Sequence, residues 1–214
     1  MRGANVYHRV FHSPHAVVHQ AAATRGASVV RAMMDGHRPA VWLSDRYTAQ
    51  QGHGAAHQTC LAHLARDVAY AVEVSDDPVP WRLQLWLNAV FALSDQVTTL
   101  APSTLLAKRR TLERQLASVL AAPSPCDLTQ ALQAKIGRAR EQLLTFLDHP
   151  GQVAATNNAC ERALRPAVVQ RKVTNGYRAM WAAEGEAAVR TVIDTARLTP
   201  RGIVFDTILA TVSA

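Results

Sequence analysis

The chain is short of acids, aromatic residues and cysteine, and it contains no long apolar run. Only 16 Asp and Glu stand against 23 Lys and Arg, which leaves a formal net charge of +7 and a pI near 9.9. Because just 18% of the residues are charged, the excess reflects scarce acids more than crowded bases. An anionic partner is implied, nucleic acid first. The bases are scattered along the chain and form no block of the kind that holds an acidic membrane surface. No stretch of about 18 uncharged apolar residues occurs, which argues against a spanning helix. The three cysteines, Cys60, Cys126 and Cys160, are odd in number and widely spaced, and no secretory leader is evident. Packed thiols in a reducing cytoplasm are expected, not a disulfide framework. The Cys60-x-x-His63 pair, with His53 and His57 just ahead, lacks the partner half-site of a structural zinc, so zinc is not expected. His8, His12, His15 and His19 fall in two strands read as exposed, where a solvated or pairing role is expected.

A chain of 214 residues is long enough to bury a sizeable core as one domain with an insertion. Val6 to Phe11 and Ala16 to Gln20, separated by Ser13-Pro14, predict a hairpin. Val29, Val30, Met33 and Met34 have helical spacing, with Asp35 as a turn residue and Gly36 as the stop. Ala40 to Leu43 predicts a buried strand that ends at Ser44-Asp45. His57 to Leu64 reads as a short strand or the lead into a helix, which then continues to the break at Asp76-Asp77-Pro78. Beyond it the pattern is helical. Leu83, Trp86, Leu87, Val90 and Phe91 share one face, as do Leu112, Leu116 and Val119, and then Leu128, Leu132, Ile136, Ala139 and Leu143. Prolines at 102, 123, 125 and 150 separate these segments. After Thr156 a short helix is expected to reach about Arg165, where Pro166 ends or kinks it, with Val168 to Val173 as an extended link. Met180 to Leu198 is helical, and a last short helix follows Pro200 and Gly202.

The stretch from Thr156 to Tyr177, TNNACERALRPAVVQRKVTNGY, sets Glu161 among Arg162, Arg165, Arg171 and Lys172. Arginine forks and lysine ammoniums orient phosphate diesters, and a carboxylate among them repels the same phosphates unless it holds a divalent cation. The competing reading is structural: Asn158 followed three places later by Glu161 resembles a capping box, in which Glu161 only ties up a free amide. A second acid stands out for its position, Asp45 at the end of a strand. Two such carboxylates suit Mg²⁺ or Mn²⁺ and the phosphoryl transfer that a pair of those ions supports.

The runs VWLSDRY, QTCLAHLARD, NNACERALRP, VVQRKVTNG and RTVIDTAR, in this order and spacing, resemble the transposase family of insertion sequence 66, a bacterial group within the DDE transposases. The resemblance covers nearly the whole chain, and NNACERALRP with the following RK is its most specific part. It implies an α/β fold with an RNase H-like core, in which residues 1–67 supply strands and a first helix. Residues 68–150 would be a mainly helical insertion, and residues 151–214 the catalytic-glutamate helix and a helical C-terminus. It also implies metal-dependent cleavage and joining of DNA at transposon ends. By it, Asp45 matches the second catalytic acid and Glu161 the closing glutamate, both as ligands of Mg²⁺ or Mn²⁺. Arg162, Arg165, Arg171 and Lys172 match DNA-contacting positions, Asn157 and Asn158 begin the helix, and Tyr47 borders the site. Cys60, His63 and Arg66 match a family landmark whose role stays open. In such a core the first aspartate lies on the opening strand, and this chain reads as beginning at the second. The expectation is therefore an incomplete core with impaired catalysis. The alternative is a DNA-binding or subunit-interaction module that does not cleave, pairing with itself or with a full-length transposase.

Overall fold

The computed structural model describes residues 6–198 and 204–212. It is α/β and predominantly helical, and it divides into two compact units, one of residues 1–35 and 158–214 and the other of residues 36–157.

The second unit, residues 36–157, begins with strand β3 (Val41–Ser44) and continues through β4 (Ala56–Thr59) into helix α2 (Leu61–Val74). The strands pair in parallel, Val41 opposite Ala56 and Ser44 opposite Thr59. Gly54 comes so close to Trp42 that a Cβ there would lie 2.8 Å from the Trp42 nitrogen and 2.7 Å from the Ala56 oxygen. Only glycine tolerates that approach of two backbones. Helix α3 (Pro78–Ser94) opens on Asp77, whose carboxylate accepts the Val79 amide at 2.8 Å, with Pro78 at the first position. Both features favour a helix start. Helices α4 (Pro102–Leu120) and α5 (Asp127–Ala139) follow, then two short 3-10 turns at Arg140–Gln142 and Thr145–Asp148. Leu83, Leu87, Val90, Leu112, Leu116, Ile136, Leu143 and Phe146 form the core of this unit, so the helical periodicities point inward as expected. Leu128 is the exception and stays 38% exposed, because it lies in the first turn of α5. Strand β3 is not the buried strand its apolar run suggests. Val41, Trp42 and Leu43 are half-buried and only Ser44 is buried, since a two-stranded sheet covers little of either face.

The first unit, residues 1–35 and 158–214, starts with an antiparallel hairpin of β1 (Tyr7–His12) and β2 (Val17–Ala22), in register from Tyr7 opposite Ala22 to His12 opposite Val17. Ser13 turns the chain, its amide donating to the Ala16 carbonyl at 2.8 Å. Helix α1 (Ala27–Met34) stops at Asp35, which is left-handed at φ 43° and donates its amide to Arg31. Helices α6 (Asn158–Thr174), α7 (Met180–Ala196) and α8 (Val204–Val212) complete the unit. Strand β2 lies on α7 in an unusual way: Thr195 Oγ1 accepts the Val17 amide at 3.0 Å and Thr191 Oγ1 accepts the His19 amide at 2.9 Å. Helix hydroxyls thereby satisfy strand amides that would otherwise be left unpaired.

Helix α6 differs from the sequence expectation. Pro166 lies inside it and neither ends it nor leaves residues 168–173 extended. An interior proline removes one helical hydrogen bond and costs about 3 kcal/mol. That cost is met by packing of the Ala163, Ala167 and Gln170 side, where Ala167 is buried and Gln170 bonds to α7. The capping box is also displaced. The helix begins at Asn158 itself, which leaves the cap position to Asn157 and moves Glu161 one place beyond the box.

Candidate nucleic-acid and metal site

Asp45 lies just past the C-terminal end of β3, and Cys60 just past that of β4, with the Cys60 amide donating to Ser44 O at 2.8 Å. The carboxyl ends of parallel strands are the usual place for a ligand site in an α/β sheet. The Tyr47 amide donates to Asp45 Oδ1 at 3.0 Å, a local turn that fixes the carboxylate. Tyr47 itself is exposed. Ser44 Oγ donates to Asp45 O at 2.8 Å, while Ser44 Oγ and Gln51 Nε2 flank His57 Nε2 at 3.3 and 3.4 Å. Burial holds the His57 imidazole below its ordinary pKa, with the Asp45 charge pulling the other way. His57 is thus neutral at pH 7 and puts no cation beside Asp45.

Among these residues the Asp45 carboxylate is the donor that a hard divalent cation would take. A carboxylate offers about four acceptor directions, and the Tyr47 bond takes one of them while holding the group in place. Neither Ser44, Gln51 nor His57 is expected from the sequence to lie beside Asp45. The signal that would have found His57 is the parallel register, which sets it opposite Trp42 and two residues short of Thr59, the partner of Ser44.

Cys60 is fully buried at the cap of α2, and the Asn157 amide points to its sulfur at 3.4 Å. Cys60 Sγ and a His63 ring nitrogen lie within 4.8 Å of each other. Cys126 and Cys160 are only half-buried, so the expectation of packed thiols holds fully for Cys60 alone.

Glu161 and the four bases picked out with it lie on α6, in the other unit. At about 100° per residue, Glu161, Arg165 and Lys172 fall on one narrow stripe, with Arg162 beside it on one flank. Arg171 lies beside it on the other flank. Arg162, Arg165, Arg171 and Lys172 are all exposed. The stripe exists because the helix runs unbroken through Pro166, so Lys172 keeps its phase with Glu161 and Arg165. The unit is the more basic of the two, with twelve Lys and Arg against six acids, compared with eleven against ten in residues 36–157.

The opposite side of α6 is tied to α7 by a polar network. Arg190 donates to Gln170 Oε1 at 2.8 Å and to Glu186 Oε1 at 2.6 Å, and the Gln170 amide donates to Glu186 Oε2. Burial, with the Glu186 carboxylate alongside, pushes the Tyr177 hydroxyl up to about 12. Of the histidines expected in a solvated or pairing role, His12 and His15 are exposed, while His8 and His19 pair deeper in the same unit. His19 is buried, donates through Nε2 to Asp194 at 2.9 Å, and receives His8 Nε2 on its Nδ1 at 2.9 Å. The carboxylate fixes both tautomers in series, which leaves His8 Nδ1 buried without a hydrogen-bond partner.

Burial and the neighbouring His19 hold His8 down at about 4, and burial lowers His19 despite Asp194. A histidine whose folded pKa lies below its unfolded value near 6.5 takes up its proton in the unfolded chain first. The stability it confers is complete above about 6.5 and is lost as pH falls toward about 4. The melting temperature should therefore drop between pH 7 and pH 4.5, and His8→Gln should make that slope shallower. An equal pH slope in both proteins, read by circular dichroism melts, would rule the His8 contribution out.

Compared with family models, residues 4–185 match the one described as Transposase IS66 family. No curated protein and no solved structure matches the chain.

Proposed function

Since this chain belongs to the transposase IS66 family, we propose that it acts on DNA as a DDE-type transposase polypeptide with an RNase H-like core. In this reading the strands within residues 1–67 and the helices within residues 151–214 make the core, and residues 68–150 are a helical insertion. Asp45 and Glu161 are two of the catalytic carboxylates and serve as ligands of Mg²⁺ or Mn²⁺. Such an ion polarises a phosphoryl oxygen and lowers the pKa of bound water. Arg162, Arg165, Arg171 and Lys172 contact the DNA backbone, with Arg165 and Lys172 in line with Glu161, and Arg162 and Arg171 on its flanks. Tyr47 holds the Asp45 carboxylate through its amide, and the neutral His57 adds no positive charge of its own there. The observation that carries the reading is the family match, which spans both acids and all four bases.

The test is a strand-cleavage assay on DNA carrying the element's ends, with Mg²⁺ or Mn²⁺. Cleavage is expected to disappear in both Asp45→Ala and Glu161→Ala. Cleavage that persists in the two variants would defeat the assignment of these residues.

A second reading has its own supporting observation. Neither β1 nor β2 carries an acid, while two-ion chemistry calls for a further carboxylate beside Asp45 and Glu161. In that reading the chain occupies DNA without cutting it, alone as an oligomer or together with a full-length copy. Salt-sensitive binding without cleavage selects it. The absence of any salt-sensitive DNA binding defeats both readings.

A further inference from the structure

The helical unit holds a second basic surface, far in sequence from α6. Helices α3 and α4 carry five Lys and Arg, namely Arg82, Lys108, Arg109, Arg110 and Arg114, against a single acid, Glu113. Glu113 is already paired with Arg109 at 2.9 Å. Between the two helices runs an open groove of about 540 Å³, and no carboxylate lines it. Two guanidiniums face into it, each held by a hydroxyl: Arg82 donates to Ser118 Oγ at 3.2 Å and Arg114 to Thr111 Oγ1 at 3.3 Å. Ser118 lies one turn beyond Arg114, so the two cations share one stretch of the groove, and no described carboxylate pairs with Arg82, Arg110 or Arg114. Like charges brought together without a counter-charge favour an anion between them. Trp81, 56% exposed, and Leu85, 52% exposed, add an apolar and aromatic edge on the same face of α3. Arginine forks beside an exposed aromatic ring suit a nucleic-acid strand better than an acidic peptide, which offers no base or sugar face to cover the indole.

We propose that the α3–α4 groove is a DNA-backbone site, with Arg82 and Arg114 as its phosphate contacts and Arg110 extending it. The inference rests on the DNA reading above and assigns a contact surface outside the carboxylates and α6. Each phosphate contact contributes about 0.9 to the salt slope of binding. The experiment is fluorescence anisotropy of the full chain with a labelled duplex over a salt series. Arg82→Ala/Arg114→Ala is expected to flatten the slope of log K against log salt by about 2. Arg82→Lys/Arg114→Lys should retain it, and the single variants Arg82→Gln and Arg114→Gln should each flatten it by about 1. Circular dichroism melts confirm folding, since each arginine is tied only to hydroxyls and a carbonyl.

Slopes equal to the parent's in all the neutralising variants, while Arg162→Ala/Arg165→Ala still flattens the slope, would overturn the groove and leave the DNA reading standing. A parent chain that binds no DNA overturns both. Loss of binding to a polyglutamate peptide, with DNA binding intact, would assign the groove to an acidic protein partner and refute the proposal.

Discussion

Replacing Gln58 by alanine is expected to lower the unfolding free energy of the helical unit by about 3–5 kcal/mol, read as a shifted urea midpoint in tryptophan fluorescence. Gln58 is fully buried. Its amide nitrogen donates to Leu143 O at 3.1 Å and to Thr59 O at 2.8 Å, and its oxygen accepts the Phe146 amide at 2.8 Å. Removing the side chain strands two buried main-chain groups of the 3-10 segment, each costing about 1–3 kcal/mol, and opens a cavity beside Phe146. Gln58→Leu fills the volume but makes no bond, so it should recover only the cavity part. The consequence reaches the candidate site, because β4 carries His57 and pairs with β3, the strand that leads into Asp45. Thr145 Oγ1 donates to His57 O at 2.8 Å, a second tie whose loss in Thr145→Val should cost about 1 kcal/mol. A Gln58→Ala midpoint equal to the parent's would show that strand β4 is held by apolar packing alone.

Much of this architecture could be read in the residues. The stripes at Leu83, Leu87 and Val90 and at Leu112 and Leu116 found the core because helical periodicity is local. The Asp77-Pro78 start and the Asp35-Gly36 stop were legible for the same reason, since caps are chemistry within four residues. Gln58 shows where local reading fails. Nothing near it in the chain says that two of its partners, Leu143 and Phe146, lie more than 80 residues away, and a glutamine beside Thr59 looks like surface. His19 fails in the same way: its carboxylate, Asp194, is brought by a helix from the far end of the sequence. Pro166 misled in the opposite direction. Its local preference is strong, yet α6 packs well enough on its alanine side to absorb a missing hydrogen bond. At the candidate site Asp45 and Glu161 stood out as acids in telling places. Ser44, Gln51 and His57 did not, because only the parallel register of β3 and β4 assembles them.

The continuity of α6 has a consequence larger than any single stability change. Arg162→Ala/Arg165→Ala/Lys172→Ala removes the two bases in line with Glu161 and one that flanks them, and it should flatten the salt slope of DNA binding by about 3. At roughly 0.1 M salt that corresponds to a loss of about two to three orders of magnitude in affinity. The unit of residues 1–35 and 158–214 would keep nine of its twelve bases, so a diffuse attraction to charge alone predicts a much smaller fall. Arg171 and Lys172 sharpen the comparison. They are adjacent, equally charged and both exposed, but the step of about 100° between neighbours puts Lys172 in line with Glu161 and Arg165, and Arg171 off to the side. Lys172→Ala should therefore weaken binding several times more than Arg171→Ala. If Pro166 broke the helix in solution, that phase relation would vanish and the two variants would behave alike. Equal losses from the pair, or a triple variant with the parent's salt slope, would remove α6 as the DNA track.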